Sequence, residues 1–333
     1  MINLRKVGSL EQLGGVQRVI LNDGPSKGVE AAIFRTGTGL SFTVLLDRGM
    51  DIGQAEWCGK SLAWRSAAGD AHPSRYEADG IGWLRGFGGG LVTTCGLTYA
   101  GAPNVDQGEA LGLHGRMSNI PASAVAADCE LIEGRYELFA RGRVTEAVPV
   151  VGQHVELNRE IRTAIGSNTI SVKDRVVNRG WSRTPFALLY HVNLGYPLLD
   201  ESTEIRLPSR AVVARDAASE PGLAEWQRFR APEDGVGEQC LFHDLAADAD
   251  GYVTTAMINR QAGFGLELRY RQAELPKFQQ WRFFGSGAYV MGFEPSNCSV
   301  LGRAHDRANG ILQYLEPGET RELHIELTVI SPC

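Results

Sequence analysis

The apolar positions of this chain recur with a period of two. Across residues 321–329, Leu323, Ile325, Leu327 and Val329 fall on one side while Glu322, His324, Glu326 and Thr328 take the other. That alternation predicts a half-buried strand. Val155, Leu157 and Ile161 alternate in the same way with Glu156, Asn158, Glu160 and Arg162; Gly166-Ser167-Asn168 interrupts, and Ile170, Val172 and Val176 resume. Two such runs around a short glycine-containing turn predict a β-hairpin. Residues 42–46, 186–190, 252–258, 264–270 and 289–293 carry further short strand patterns. Amphipathic helices are scarce, with room for one short helix each in 73–83 and 221–230. Strands do not alternate with helices, which disfavours a doubly wound parallel sheet. The expected architecture is all-β: one large antiparallel sandwich over residues 1–333, with few short helices.

Composition narrows the partners. The 333 residues are 43% hydrophobic and 22% charged, as in ordinary globular proteins. A chain of this length can bury roughly three quarters of its unfolded surface. It therefore needs no disulfide or metal for stability. The formal net charge is −6 and no basic block occurs, which argues against nucleic acid. No apolar run approaches the roughly eighteen residues of a membrane span, and Met1 to Lys6 lack a signal-peptide core. Cys58, Cys95, Cys129, Cys240, Cys298 and Cys333 are scattered without a CxxC pair, the pattern of reduced thiols in a cytoplasmic protein. A homodimer through a sheet edge is compatible with the sequence and leaves no mark in it.

Several segments invite a chemical reading. Gly86-Phe87-Gly88-Gly89-Gly90 suggests a phosphate loop, but the strand-like Leu91-Val92-Thr93-Thr94-Cys95 follows where such a loop needs a helix. A tight turn or close backbone packing is the better reading. No GxSxG elbow occurs.

His114, His191 and Glu294 each end an apolar segment. An ionisable group there is costly unless it has a partner or a use. Taken alone, each histidine reads as a core residue bonded to backbone, and Glu294 reads equally as half of an ion pair. Arg48 closes the run 42–46 as part of Asp47-Arg48, which a surface salt bridge would explain as well. Asp244 is a weaker candidate. Gln279, Gln280 and Trp281 precede the Glu294 segment and suit the hydroxyls and faces of a sugar, although a tryptophan is more often core.

These segments, in order, resemble the galactose mutarotase-like superfamily of aldose 1-epimerases, and within it an uncharacterised epimerase-like branch. The resemblance rests on Leu46-Asp47-Arg48-Gly49-Met50-Asp51, Arg85-Gly86-Phe87-Gly88-Gly89-Gly90-Leu91, Leu113-His114-Gly115-Arg116, Tyr190-His191-Val192-Asn193-Leu194-Gly195 and Phe293-Glu294-Pro295. Gly310-Ile311-Leu312 and Leu315-Glu316-Pro317-Gly318-Glu319 add to it. It implies a large antiparallel β-supersandwich with an open sugar cleft.

It implies roles as well. Glu294 would take the proton of the anomeric hydroxyl, His191 would protonate the ring oxygen, and His114 would bind the sugar, with no cofactor and no metal. Arg48, Arg116, Asp244 and Gln280 are further substrate-binding candidates, and Arg48, Arg85, Arg116 and Arg303 could clamp a phosphorylated sugar. The chain departs from typical mutarotases at Glu109-Ala110-Leu111-Gly112, Val192-Asn193 and Pro295-Ser296-Asn297, which leaves the substrate open.

The expected function is thus a sugar 1-epimerase acting on a small carbohydrate. Two other classes stay open: a metal-assisted lyase or isomerase built on two histidines and a carboxylate, and a non-catalytic carbohydrate-binding protein on the same fold.

Overall fold

A computed structural model describes residues 4–331. The strands form three principal sheets in which every strand pairing is antiparallel. A five-stranded meander runs from Gly15–Ile20 to Lys60–Ser61. An eight-stranded sheet has the long strands Gln153–Ala164, Thr169–Asn178 and Thr320–Ile330 at its centre. The third sheet orders Ser209–Ala214, Gln239–Leu245, Lys277–Gly285, Ala288–Ser296, Thr184–Gly195 and Gln313–Leu315, with Thr93–Leu97 also paired to Thr184–Gly195.

The expected hairpin is present: Leu157 pairs with Val176 and Ile161 with Val172 across the 166–168 turn. Among the described residues helix is confined to short 3₁₀ turns and one α-helix, Arg303–Ala308. Residues 73–83 hold the 3₁₀ turn Pro73–Arg75 and the start of a second, Gly82–Gly86, and 221–230 holds the end of Glu220–Ala224. Among the described residues no helix is long and apolar enough to cross a membrane. Cys58, Cys95, Cys129, Cys240 and Cys298 are free thiols. Cys333 and Met1 to Asn3 lie outside the described residues.

Packing explains why one strand carries the chemistry. Thr184–Gly195 is buried on both faces. Its even positions, Phe186, Leu188, Tyr190, Val192 and Leu194, join the main core between the sheets. Its odd positions, Ala187, Leu189, His191 and Asn193, face the other way, where a second apolar cluster includes Trp83, Phe87, Cys95 and Cys240. Here the period of two turns an apolar strand into one wall of a site.

The main core also holds charge. Arg159 donates from Nε and Nη2 to Asp174 (2.8 and 2.6 Å) and from Nη1 to Asp51 Oδ1 (3.2 Å), while Tyr190 Oη donates to Asp174 Oδ2 (2.6 Å). Arg159 and Asp174 are both about 2% exposed, so each depends on the other for the solvation it has lost.

The glycine run is a packing device. A Cβ on Gly88 would stand 2.2 Å from the Gly69 carbonyl oxygen, and one on Gly90, whose φ is 99°, would stand 2.7 Å from that of Ile52. The strand Thr93–Leu97 follows, with no helix to meet an anion.

Candidate functional site

Register brings His191 and Glu294 together. Val192 pairs with Phe293 and Leu189 with Ser296, so His191 stands opposite Glu294 on the neighbouring strand, on the same face. Gly292, two positions before Glu294, lies beside Asn193 on one side and Trp281 on the other. A Cβ at Gly292 would stand 2.7 Å from Glu294 Oε1 and 3.2 Å from His191 Cε1, so only glycine leaves room for the pair. The Trp281 ring meets His191 edge-on at 5.3 Å between centroids. Trp281 shares this face because it is cross-strand from Gly292.

His114 arrives from a turn. It holds φ of 58°, a left-handed conformation uncommon outside glycine, and Gly115 follows at 78°. A Cβ on Gly115 would meet the carbonyl oxygens of Gly96 and Tyr99 at 2.4 and 2.5 Å. The His114 N–H donates to the Gly101 carbonyl (2.9 Å), and its own carbonyl accepts from Gly96 (3.1 Å). Such strain persists where the surroundings fix it, often at functional sites. The turn sets the His114 ring 5.9 Å from that of His191 and 4.9 Å from Trp83.

The three side chains line a cavity of about 380 Å³. His191 Nε2 is 3.2 Å from Glu294 Oε1, within ion-pair range. Even so, Glu294 Oε1, His191 Nδ1 and His114 Nδ1 are all buried polar atoms without a hydrogen-bond partner. Buried groups in folded proteins are rarely left so, and three at one cavity point to a ligand that completes them. A hollow of about 650 Å³ lies on the eight-stranded sheet, among Arg141, Lys173 and Arg175. It is larger, but none of its lining residues has an orphaned buried polar atom, so size alone does not mark the site.

Burial sets the proton affinities. It pushes the Glu294 carboxyl up to about 8, with the charge of Glu238 adding and that of Arg215 opposing. It pushes His191 down to about 3, with His114 adding. His114 is brought down to about 4 by burial, against the pull of Glu238. Near neutral pH both imidazoles are therefore uncharged and the Glu294–His191 pair holds one proton.

Two residues that the sequence did not single out join this site. Arg215 donates from Nη2 to Glu238 Oε1 (2.8 Å) and from Nε to Asp216 (2.7 Å), and Glu238 Oε2 accepts the Trp281 indole N–H (2.8 Å). Arg215 follows the strand Ser209–Ala214 and Glu238 precedes Gln239–Leu245, so both lie just outside a strand.

Four candidates lie elsewhere. Arg48 is buried and donates to the carbonyls of Ala71 and Gly86 (2.9 Å for the latter), bracing the wall that carries Phe87 without lining the cavity. Arg116 is exposed and engages Tyr99 outside it. Asp244 pairs with Arg210 on the surface, four residues, or about 13 Å, along the strand from cavity-lining Cys240. Gln280 faces away from Trp281, as strand alternation demands, and bonds His243 and the Trp226 carbonyl. The arginine clamp does not form either: Arg85 pairs with Glu77 and Arg303 with Asp106 and Glu109. Among the described residues no group of three His, Cys, Asp or Glu side chains is placed to hold a metal ion.

A family model described as "Domain of unknown function (DUF4432)" matches residues 26–329. No curated protein matches. Among solved structures, a Klebsiella pneumoniae protein described as a "putative aldose 1-epimerase" aligns at a TM-score of 0.90 and 24% identity, covering 97% of this chain and 86% of that one. A galactose mutarotase-like protein from Clostridium acetobutylicum aligns at 0.68 and 11% identity, over 95% and 98%. Galactose 1-epimerase from Lactobacillus acidophilus aligns at 0.60 and 11% identity, over 96% and 99%. The fold is that of the galactose mutarotase-like proteins.

Proposed function

We propose that this chain, which belongs to the family described as a domain of unknown function (DUF4432), is a sugar 1-epimerase that interconverts the anomers of a free aldose. The observation that carries the reading is the Glu294–His191 pair: two acid–base groups 3.2 Å apart that line a cavity of about 380 Å³. The fold neighbours described as aldose 1-epimerases support it.

Anomer exchange needs one acid and one base at once. The base removes the proton from O1, the C1–O1 bond becomes a carbonyl, the C1–O5 bond breaks, and O5 takes a proton from the acid. Half a turn about C1–C2 presents the other carbonyl face, and the same steps run backwards. No atom is gained or lost. A carboxyl that holds the proton near neutral pH and an uncharged imidazole beside it supply both roles, and ring closure exchanges them. Each proton transfer contributes about 10²–10⁴-fold. His114, uncharged and with a free Nδ1, holds a ring hydroxyl, and the aromatic edges of Trp83, Phe87 and Trp281 exclude water around the pair.

Polarimetry on freshly dissolved single anomers tests the reading. The parent should speed the drift to equilibrium, and His191→Asn should return it to the buffer rate. A parent that leaves the drift unchanged for every neutral aldose overturns it.

A further inference from the structure

The cavity carries a net negative charge. Among the described residues that line it, the ionisable groups besides His114, His191 and Glu294 are Cys240, Arg215, Asp216 and Glu238. Near neutral pH the two imidazoles are uncharged and the Glu294 carboxyl holds its proton. Burial pushes the Cys240 thiol well above its ordinary range, so it is neutral too. One guanidinium is then left against two carboxylates. Asp216 stays ionised: hydrogen bonds from Ser219 Oγ (2.7 Å) and Arg215 hold it below the usual carboxylate range.

Arg215 is not free to offset the excess. Its Nε donates to Asp216 Oδ2 (2.7 Å) and its Nη2 to Glu238 Oε1 (2.8 Å), so an incoming anion competes with carboxylates already in place. The Asp216 side chain is 41% and that of Glu238 49% exposed, so neither charge is sealed behind the wall. At Glu294 and at His114, two separate points of the cavity, the charge of Glu238 weighs more than that of Arg215. Arg48, Arg85, Arg116 and Arg303 do not line the cavity and add no cation to it.

A volume of about 380 Å³ is roughly 9 Å across if taken as a sphere. The Debye length in 0.1 M salt is about 10 Å, so a charge anywhere in the cavity feels Arg215, Asp216 and Glu238 together. The position of an anionic group on the sugar therefore matters little. Resting on the epimerase reading only for the cavity as the seat of the sugar, we propose that Glu238 and Asp216 are specificity-determining residues that reject anionic sugars, so that the substrate is an uncharged aldose and not a sugar phosphate or a uronate. One like charge about 6 Å away, at an effective dielectric of about 40, amounts to roughly tenfold in affinity.

The test compares near-isosteric pairs on the whole protein, D-glucose with D-glucuronate and D-galactose with D-galacturonate. Ligand-observed NMR titration gives Kd and exchange NMR gives kcat/KM. At low salt the neutral sugar of at least one pair should exceed its uronate about tenfold or more in both. That ratio should shrink between about 0.01 and 1 M NaCl, as the Debye length falls from about 30 to 3 Å. Glu238→Gln should narrow it about tenfold, and adding Asp216→Asn should narrow it further. The salt series on the parent needs no variant to fold. Uronates that match or exceed their neutral partners at low salt, or a ratio indifferent to both salt and Glu238→Gln, overturn the selection and leave the epimerase reading standing if exchange is accelerated. The predicted binding ratios without accelerated exchange overturn the epimerase reading and uphold the selection. No binding of any of the four sugars overturns both.

Discussion

His191 Nε2 stands 3.2 Å from Glu294 Oε1 across two neighbouring strands, and Gly292 is what leaves them the space. The carboxyl, pushed up by burial, and the imidazole, pushed down, together keep one proton over a broad pH range. The strands fix the separation of their Cα atoms, so the pair is held by the sheet rather than by a loop.

Filling the gap should therefore separate folding from activity. In Gly292→Ala the new methyl would collide with the end of the flexible Glu294 side chain, which can move, and not with backbone. We expect far-ultraviolet circular dichroism to be unchanged and Tm to fall by a few degrees at most. Anomer exchange should fall about 100-fold or more, because a shift of about 1 Å at a reacting group is enough for that. A Gly292→Ala protein with full activity would contradict the geometry.

Stability should depend on pH through Glu294. Its affinity for protons is higher folded, about 8, than its ordinary value of 4.5. A raised carboxyl contributes stability that is complete below the unfolded value and is lost as pH rises through the folded one. The parent should thus lose stability between about pH 4.5 and 8 relative to Glu294→Gln, ending roughly 2–4 kcal/mol lower at pH 9 than the pH 4.5 comparison would give. Asp51, also raised, to about 6, is common to both proteins and drops out of the difference. Urea titrations across this range check it, and parallel curves would refute it.

The buried ions of the main core should matter for folding rather than chemistry. Arg159→Met leaves Asp174 and Asp51 without their cation, and losing one partner of a buried pair costs about 3–5 kcal/mol. Replacing Asp174 by Leu in the same chain should recover part of that loss. Chemical denaturation of the single and double variants measures both, and a loss under about 1 kcal/mol for Arg159→Met would show that the network is not structural.

Half-buried strands were legible in the sequence because water on one side forces alternation. The strand Thr320–Ile330 was readable almost to its ends for that reason. The strand Thr184–Gly195 was legible only over 186–190, since it is buried on both faces and its polar His191 and Asn193 look like an ending. They continue the strand and face a cavity. Glu294 likewise lies within Ala288–Ser296 and not at its end. The helix Arg303–Ala308 is too short to build an apolar stripe and escaped notice.

For the site, unusual placement was informative and residue type alone was not. His114, His191 and Glu294 stood out because ionisable groups interrupt apolar runs, and all three line the cavity. Arg48, Arg116, Asp244 and Gln280 were chosen for their chemistry near a motif. Alternation, or a local partner, carries each of them away from it. Arg215 and Glu238 lie just outside strands and Trp83 in a 3₁₀ turn, and only the folded chain brings them to the pair.

The most direct test of the central claim is two-dimensional exchange NMR of the α and β anomers, run with the parent, His191→Asn and Glu294→Gln on neutral hexoses. The prediction is accelerated exchange in the parent and a loss of about 10²–10⁴-fold in each variant, with sugar still bound. Exchange no faster than in buffer for every sugar with folded parent protein, or full activity in both variants, would contradict it.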